Sequence, residues 1–296
     1  MEGSHLKFGV SLGFGLNAKE RTEAAVEAEN LGYDGIFMAD HIGKVGSMDP
    51  FITLSYLAGK TTTIRLGVMV TPVPRYVPAH LATLISTLDA VSNGRFIAGV
   101  GAGYEYYEFR NYAPGGVYDD VSVRSEKFLE GLRLMKKLWE TPHPYRVYWK
   151  GKYYSLEEAF LWPKPVQKPH PPVWMGGSGT KALRAAAELC SGWMGPIFGG
   201  NAQYPAEVYE NNVKKIQKFA KEYNRDLSNF TFASWGCTYD VNVPTDIVAK
   251  SGGLGSIHKM DTPELIESYK AAGCQYWIIA CPFMRQFAKE IMPSFN

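Results

Sequence analysis

The stretch GIFMADHIG, residues 35–43, carries four apolar residues straight into an acid and an imidazole, Asp40 and His41. An imidazole can exchange protons near neutral pH, and a neighbouring carboxylate can set its tautomer or hold a ring group of a ligand. An uninterrupted apolar run is the pattern of a strand covered on both faces; a surface strand would alternate. The polar pair therefore stands where a buried strand leaves the core. Asp40 could simply cap that loop with His41 packed against it, but an open strand end gives the pair a reason to be there.

Three further stretches have chemistry-bearing spacing. MGGSGTKAL, 175–183, offers Gly176, Gly177, Ser178, Gly179 and Thr180 ahead of a helical pattern. Glycines allow close backbone approach, the hydroxyls can donate, and the free N–H groups of a helix start favour a phosphate, to which Lys181 would add charge. An ordinary tight turn with a Ser/Thr cap is the plainer reading. GVGAGYEYYEF, 99–109, removes bulk at Gly101, Ala102 and Gly103, where a flat ring could rest. Glu105 follows as a candidate acid or base; Glu108 is better explained as a structural partner for Arg124. VMVTPVPRYVPAH, 68–80, is stiffened by prolines and places Thr71 to hydrogen-bond a ligand, with Arg75 either near it or a surface charge.

Strand-like and helix-like segments alternate around these stretches. Strands are expected at 6–12, 33–40, 64–70, 95–103, 173–178, 192–198, 230–239 and 275–282. Helices are expected at 17–32, 49–61, 77–94, 119–139, 180–190, 205–223 and 262–273, several opened by Asn, Asp or Pro and closed by Gly. The rhythm is interrupted after the fourth strand by a Tyr- and Gly-rich loop, the long helix, a hairpin at 145–156 and a proline-rich connector at 162–172. Eight βα units predict an α/β fold of the (β/α)8, or TIM-barrel, type in one domain over 1–296, with an insertion at about 140–172. An open doubly wound sheet is the alternative, but it would carry GxGxxG in its first turn, and the glycines here follow the fourth strand. Barrel enzymes keep their sites at the C-terminal strand ends, where all four stretches fall.

The 296 residues are 46% hydrophobic with a formal charge of +2 spread along the chain, which suits a full core and excludes the basic stripe of a nucleic-acid binder. No apolar run approaches membrane-spanning length, and the first residues lack a secretory pattern. Cys190, Cys237, Cys274 and Cys281 form no CxxC and fit reduced thiols in a cytoplasmic protein. The six histidines lack ligand spacing, so no metal site is expected.

GYDGIFMADH, RLGVMVTPVPRYVPAHLATLISTLDAVSNGRFIAGVGAGY, SEKFLEGLRLMKKLW and PKPVQKPHPPVWMGGSGTKALRAAAELCSGW together resemble the bacterial luciferase-like oxidoreductases over nearly the whole chain. The resemblance implies a barrel with an insertion after the fourth βα unit, usually a homodimer, that binds FMN or the deazaflavin coenzyme F420 at its mouth. The phosphate would sit on Gly176–Thr180. The Asp40-His41 ending resembles the deazaflavin branch more than the Glu-His-His of flavin monooxygenases. It also implies a non-prolyl cis peptide in strand three, near Met69–Val70, backing the ring. Two departures leave the substrate open: Tyr104 stands where some members carry a catalytic Glu, with Glu105 one step later, and Ser11 where others carry one. The expected activity is hydride transfer between F420 and a small organic substrate. Its catalytic residues would be His41, Asp40 and Glu105, with Asp40, Met69, Val70, Thr71, Gly101–Gly103 and Gly176–Thr180 on the cofactor. Tyr104, Tyr106, Tyr107 and Trp193 would wall the substrate. A two-component FMN monooxygenase is the alternative, and a flavin-binding barrel without chemistry a third.

Overall fold

The computed structural model describes residues 5–13, 15–196, 198–199, 202–203, 205–235 and 262–295. Among them are eight parallel strands: β1 (Lys7–Ser11), β2 (Gly35–Met38), β3 (Arg65–Val68), β4 (Phe96–Gly101), β5 (Val173–Gly176), β6 (Gly192–Pro196), β7 (Thr231–Trp235) and β8 (Tyr276–Ala280). They pair in sequence, and β8 pairs with β1, so the sheet closes on itself as a (β/α)8 barrel. The helices are α1 (Ala18–Asn30), α2 (Pro50–Ala58), α3 (Pro78–Val91), α4 (Tyr106–Tyr112), α5 (Val121–Glu140), α6 (Thr180–Leu189), α7 (Ala206–Glu222), α8 (Pro263–Ala271) and α9 (Met284–Glu290).

The continuous apolar runs follow from closure. In β2, Ile36 and Met38 face the helical layer, while Phe37 points into the barrel with Ile97, Trp174, Met194, Ala233, Tyr276 and Ile278. The Phe37 ring lies 6.0 Å from Trp174 and meets Tyr276 edge-on at 5.7 Å. Its neighbours on β1 and β3 are glycines: a Cβ on Gly9 would stand 2.7 Å from the ring and one on Gly67 2.4 Å. Large and small inward residues thus alternate between strands and fill the barrel as a packed core.

Local signals start the helices as expected. Asn17 and Glu20 form a capping box on α1, and Asp49 accepts from Ile52 N–H with Pro50 at the first position of α2. The turn before β3 is held by Glu29, whose carboxylate accepts the N–H groups of Thr62, Thr63 and Ile64. Partial burial opposes its ionisation, but these bonds win and hold the carboxyl down at about 2.

The structure corrects several boundaries. β2 ends at Met38, so Asp40 and His41 lie beyond the strand. The Tyr-rich loop after β4 contains α4, which the aromatic spacing did not announce. The hairpin pairs Val147–Lys150 with Ser155–Ala159, a few residues later than expected, because Glu130 of α5 accepts the N–H groups of Lys152, Tyr153 and Tyr154 and fixes the turn there. The predicted ends of the sixth and seventh strands run past Pro196 and Trp235; residues 236–239, with Cys237, lie outside the described residues. The connector at 162–172 carries no helix or strand.

Strand three bears the expected interruption. β3 stops at Val68, the Met69–Val70 peptide is cis, and pairing to β4 resumes at Thr71–Pro72. The bulge rests on glycines: a Cβ on Gly99 would stand 1.8 Å from the Val68 carbonyl oxygen, and one on Gly176 2.9 Å from the Val70 side chain.

Gly99→Ala should therefore destabilise the protein by about 1–3 kcal/mol or more through overpacking, seen as a lower denaturant midpoint; an unchanged midpoint would show that the bulge can move. Glu29 gives a pH test. Its folded value lies below the ordinary 4.5, so its contribution is whole above that value and lost as pH falls toward about 2. The difference in melting temperature between wild type and Glu29→Gln should be largest near neutrality and shrink below pH 4.5; a constant difference would rule the anchor out.

Candidate active site

A cavity of about 830 Å³ opens at the C-terminal ends of the strands. On one side of it four titratable side chains from three loops, Asp40, His41, Arg75 and Glu108, meet. Arg75 follows the bulge and is buried at 4% exposure, so it is not a surface charge. Its guanidinium pairs with both Asp40 and Glu108, the latter at 2.5 Å, and also donates to the Asp40 carbonyl oxygen at 3.2 Å. The Tyr76 hydroxyl donates to the second Asp40 oxygen at 2.9 Å. The other Glu108 oxygen lies 2.6 Å from His41 Nδ1.

The electrostatics follow from burial and pairing. Burial pushes the Asp40 carboxyl up from its ordinary value, against the pull of Arg75 and Tyr76. Glu108 is held below its usual range: burial opposes this, but His41 and Arg75 favour the anion. Arg75 is raised despite burial by the charges of Asp40 and Glu108. Burial pushes the Tyr76 hydroxyl up, which keeps it a donor. With an ionised carboxylate beside Nδ1, a neutral His41 is favoured as the tautomer that carries its proton there.

Two expectations change here. Glu108, not Asp40, is the carboxylate bonded to the His41 ring. Glu108 is not a partner of Arg124, whose guanidinium donates to the carbonyl oxygens of Gly103 and Asp119 and lies over the Tyr118 ring. The Arg75–Glu108 pair spans 33 positions, and α4 carries Glu108 inward in its first turn. Glu105 lines the cavity but is bonded to Lys44 at 2.7 Å, and that bond keeps Lys44 above its ordinary value although partial burial opposes it.

Of the expected cofactor residues, Asp40, Met69, Val70, Gly101, Ala102, Gly103, Gly176, Gly177, Gly179 and Thr180 line the cavity. Ser178 and Thr71 are not among its lining residues; Thr71 is buried close to Asp40. The turn after β5 is shaped by Gly177, at φ +100°, a region L side chains rarely adopt. Its carbonyl accepts the Trp193 indole N–H at 2.7 Å. Trp193 is thus a fully buried support of this turn and not a substrate wall. Gly179 opens α6 at the cavity without any side-chain cap on the first N–H groups of that helix. Tyr104 lines the mouth and meets the His41 ring edge-on at 6.0 Å, whereas Tyr106 and Tyr107 are exposed and do not line it. Among the described residues no His, Cys, Asp and Glu group could hold a metal ion, and Cys190, Cys274 and Cys281 are buried free thiols.

Known proteins fit this geometry. The profile of the luciferase-like monooxygenase family matches residues 6–241. A protein of Intrasporangium calvum called F420-dependent glucose-6-phosphate dehydrogenase is 32% identical, covering 93% of this chain and 94% of its own. A namesake from Kineococcus radiotolerans is 31% identical over 57% of this chain and 50% of its own, so that the match spans about half of that relative. Among solved structures, an F420-dependent secondary alcohol dehydrogenase bound to an F420–acetone adduct superposes with a TM-score of 0.80 at 22% identity, covering 99% of both chains. The chain belongs to the luciferase-like monooxygenase family. A second relative matched over nearly its whole length, from Amycolatopsis mediterranei, bears the same name, F420-dependent glucose-6-phosphate dehydrogenase, at 29% identity.

Arg75 neutralises two buried carboxylates, so Arg75→Met should cost about 3–5 kcal/mol. Denaturant unfolding checks this; a loss below about 1 kcal/mol would mean that Asp40 and Glu108 take up protons or water easily.

Proposed function

We propose that the protein is a coenzyme F420-dependent oxidoreductase that exchanges hydride with a small organic substrate. The observation that carries the reading is His41 held by Glu108 at the lip of a cavity whose far wall is a bulge and a glycine turn. The residues present fit a flat ring with a phosphate tail. Val70 stands against Gly101 and Gly176, where any side chain would collide with it, and α6 leaves its N–H groups uncapped. The names of the relatives support the deazaflavin over FMN.

The bound deazaflavin supplies a carbon centre that gives and takes hydride and avoids oxygen. The chain supplies the rest. Gly176, Gly177, Gly179 and Thr180 would hold the phosphate at the positive end of α6. Met69 and Val70 back the ring, with Gly101, Ala102 and Gly103 leaving room for it. His41 Nε2 exchanges the proton that accompanies hydride transfer, and Glu108 steadies the imidazolium formed when it accepts one. Asp40, tied to Arg75 and Tyr76, fixes the loop that carries His41 and would lie beside the ring. Glu105, paired with Lys44, is a second acid–base candidate at the rim.

The same reading describes one barrel domain with an insertion at about 140–172. It makes the protein a homodimer, supported by exposed Ile52 and Tyr56 on α2, and cytoplasmic, supported by the three free buried thiols. Among the described residues no helix is long and apolar enough to cross a membrane.

Tryptophan fluorescence, with Trp193 behind the phosphate turn, should report micromolar F420 binding and much weaker FMN binding. The reverse order, with oxygen uptake, would make the protein a flavin monooxygenase. His41→Ala should lower turnover by about 10²–10⁴-fold while F420 affinity stays within a few-fold; full turnover would remove His41 from the chemistry.

A further inference from the structure

The rim of the cavity divides into the loops that follow β1, β2 and β4 and the turns that follow the later strands. The loop after β2 runs along the mouth between its two neighbours in that first group. Its residues Lys44, Ser47 and Met48 line the cavity, whereas Val45 is 99% exposed. Residues 44–47 close on themselves as a turn: the Lys44 carbonyl accepts the Ser47 N–H at 3.0 Å and the Ser47 hydroxyl at 2.6 Å. Gly46 takes the third position at φ +76°, which glycine adopts without strain. The turn is thus one stiff piece, with one side on the cavity and its tip in water.

Two anchors of unequal strength hold it. Toward β1, the Gly46 carbonyl accepts from the Arg21 guanidinium at 3.2 Å and from the Gly15 N–H at 3.1 Å. Arg21 is only 1% exposed and donates also to the Leu12 and Leu16 carbonyls at 2.7 and 3.1 Å, which ties it to the loop after β1. Toward β4, Lys44 Nζ meets Glu105 Oε1 at 2.7 Å, with the two side chains 40% and 28% exposed. Pulling Gly46 off Arg21 would strip a partner from a buried charge, which is costly. An exposed ion pair such as Lys44–Glu105 shifts an equilibrium by about fivefold or less. Gly43, also at φ +76°, joins the turn to His41, and a Cβ there would stand 2.9 Å from the Tyr112 hydroxyl of α4. A glycine so placed lets the turn lie close on α4 and can absorb a change of backbone angle.

We propose that residues 43–47 form a strap over the cavity mouth that pivots on Gly46, where Arg21 holds it, and is latched by the Lys44–Glu105 pair, so that this pair sets how fast a ligand enters and leaves. The inference rests on the reading of the cavity as the cofactor site. Opening breaks the cheaper anchor and keeps the dearer one, and His41 stays in place because Glu108 holds it independently of the latch. A latch that closes over the empty and the filled cavity alike changes the two rates together and leaves affinity nearly untouched.

The experiment follows tryptophan fluorescence of the intact protein on rapid mixing with F420, for entry, and on dilution of the complex, for release. Lys44→Met should speed both by about two- to fivefold, with affinity within about twofold. The exchange Lys44→Glu with Glu105→Lys should restore the slow rates, since it rebuilds the pair with its charges reversed; if that variant does not fold, Glu105→Gln should match Lys44→Met. Unchanged rates in Lys44→Met with F420 bound normally would overturn the proposal. So would faster release with unchanged entry, or an exchange variant that stays fast, since Lys44 would then be a direct contact of the ligand. Binding of FMN in place of F420 would sink the deazaflavin reading alone, and the strap would stand or fall on the same rates measured with FMN. Binding of neither would bring down both.

Discussion

The site hangs on one buried cation. Arg75 lies between two carboxylates that the fold has taken out of water, Asp40 and Glu108. Without the guanidinium, two negative charges would face each other in a medium that screens them poorly, and the loops after β2 and β4 would have reason to separate. With it, those loops and the segment after the bulge are tied at a common point, and His41 inherits a fixed orientation through Glu108. The tie is geometric as well as electrostatic, since a planar guanidinium fixes the angle between its partners in a way an ammonium would not.

The barrel is what makes such a tie possible. Parallel strands deliver all their C-terminal ends to one rim, so residues distant in the chain become neighbours without long connections. The inner layer built on Phe37, Trp174 and Tyr276 fills the interior beneath that rim, and the cavity begins where the bulge and the glycines of β4 and β5 replace bulk with space. The indole of Trp193 supports the glycine turn after β5 from inside the core, so part of the cavity wall is held in place by packing rather than by loop chemistry.

The sequence made the fold legible because each strand carried its own local signature: apolar runs of strand length, Pro or Asn at helix starts, glycine at helix ends. Asp40 and His41 were legible for the same reason, as polar residues ending an apolar run, and the glycines of 101–103 and 176–179 announced close approach. What was not legible was pairing. Glu108 could be seen, but its choice of Arg75 and His41 over Arg124 depends on α4 turning it inward, and the tyrosines of that helix do not alternate in a way that reveals a buried side. Trp193 looked like an aromatic near a mouth; only the strand's register shows it facing the core. Arg75 looked like a loop charge because nothing local tells a buried arginine from an exposed one.

The division of the rim has a consequence for how such a chain can change over generations. The His41–Glu108 pair is drawn from β2 to α4, in the first part of the chain, whereas the glycine turn after β5 and much of the apolar cavity wall are drawn from β5 to β8, after the insertion. Variation in the later half can remodel what the cavity admits while the earlier half keeps its acid–base geometry. On the proposed reading the two halves can vary separately, and the hairpin that α5 anchors lies at the seam between them.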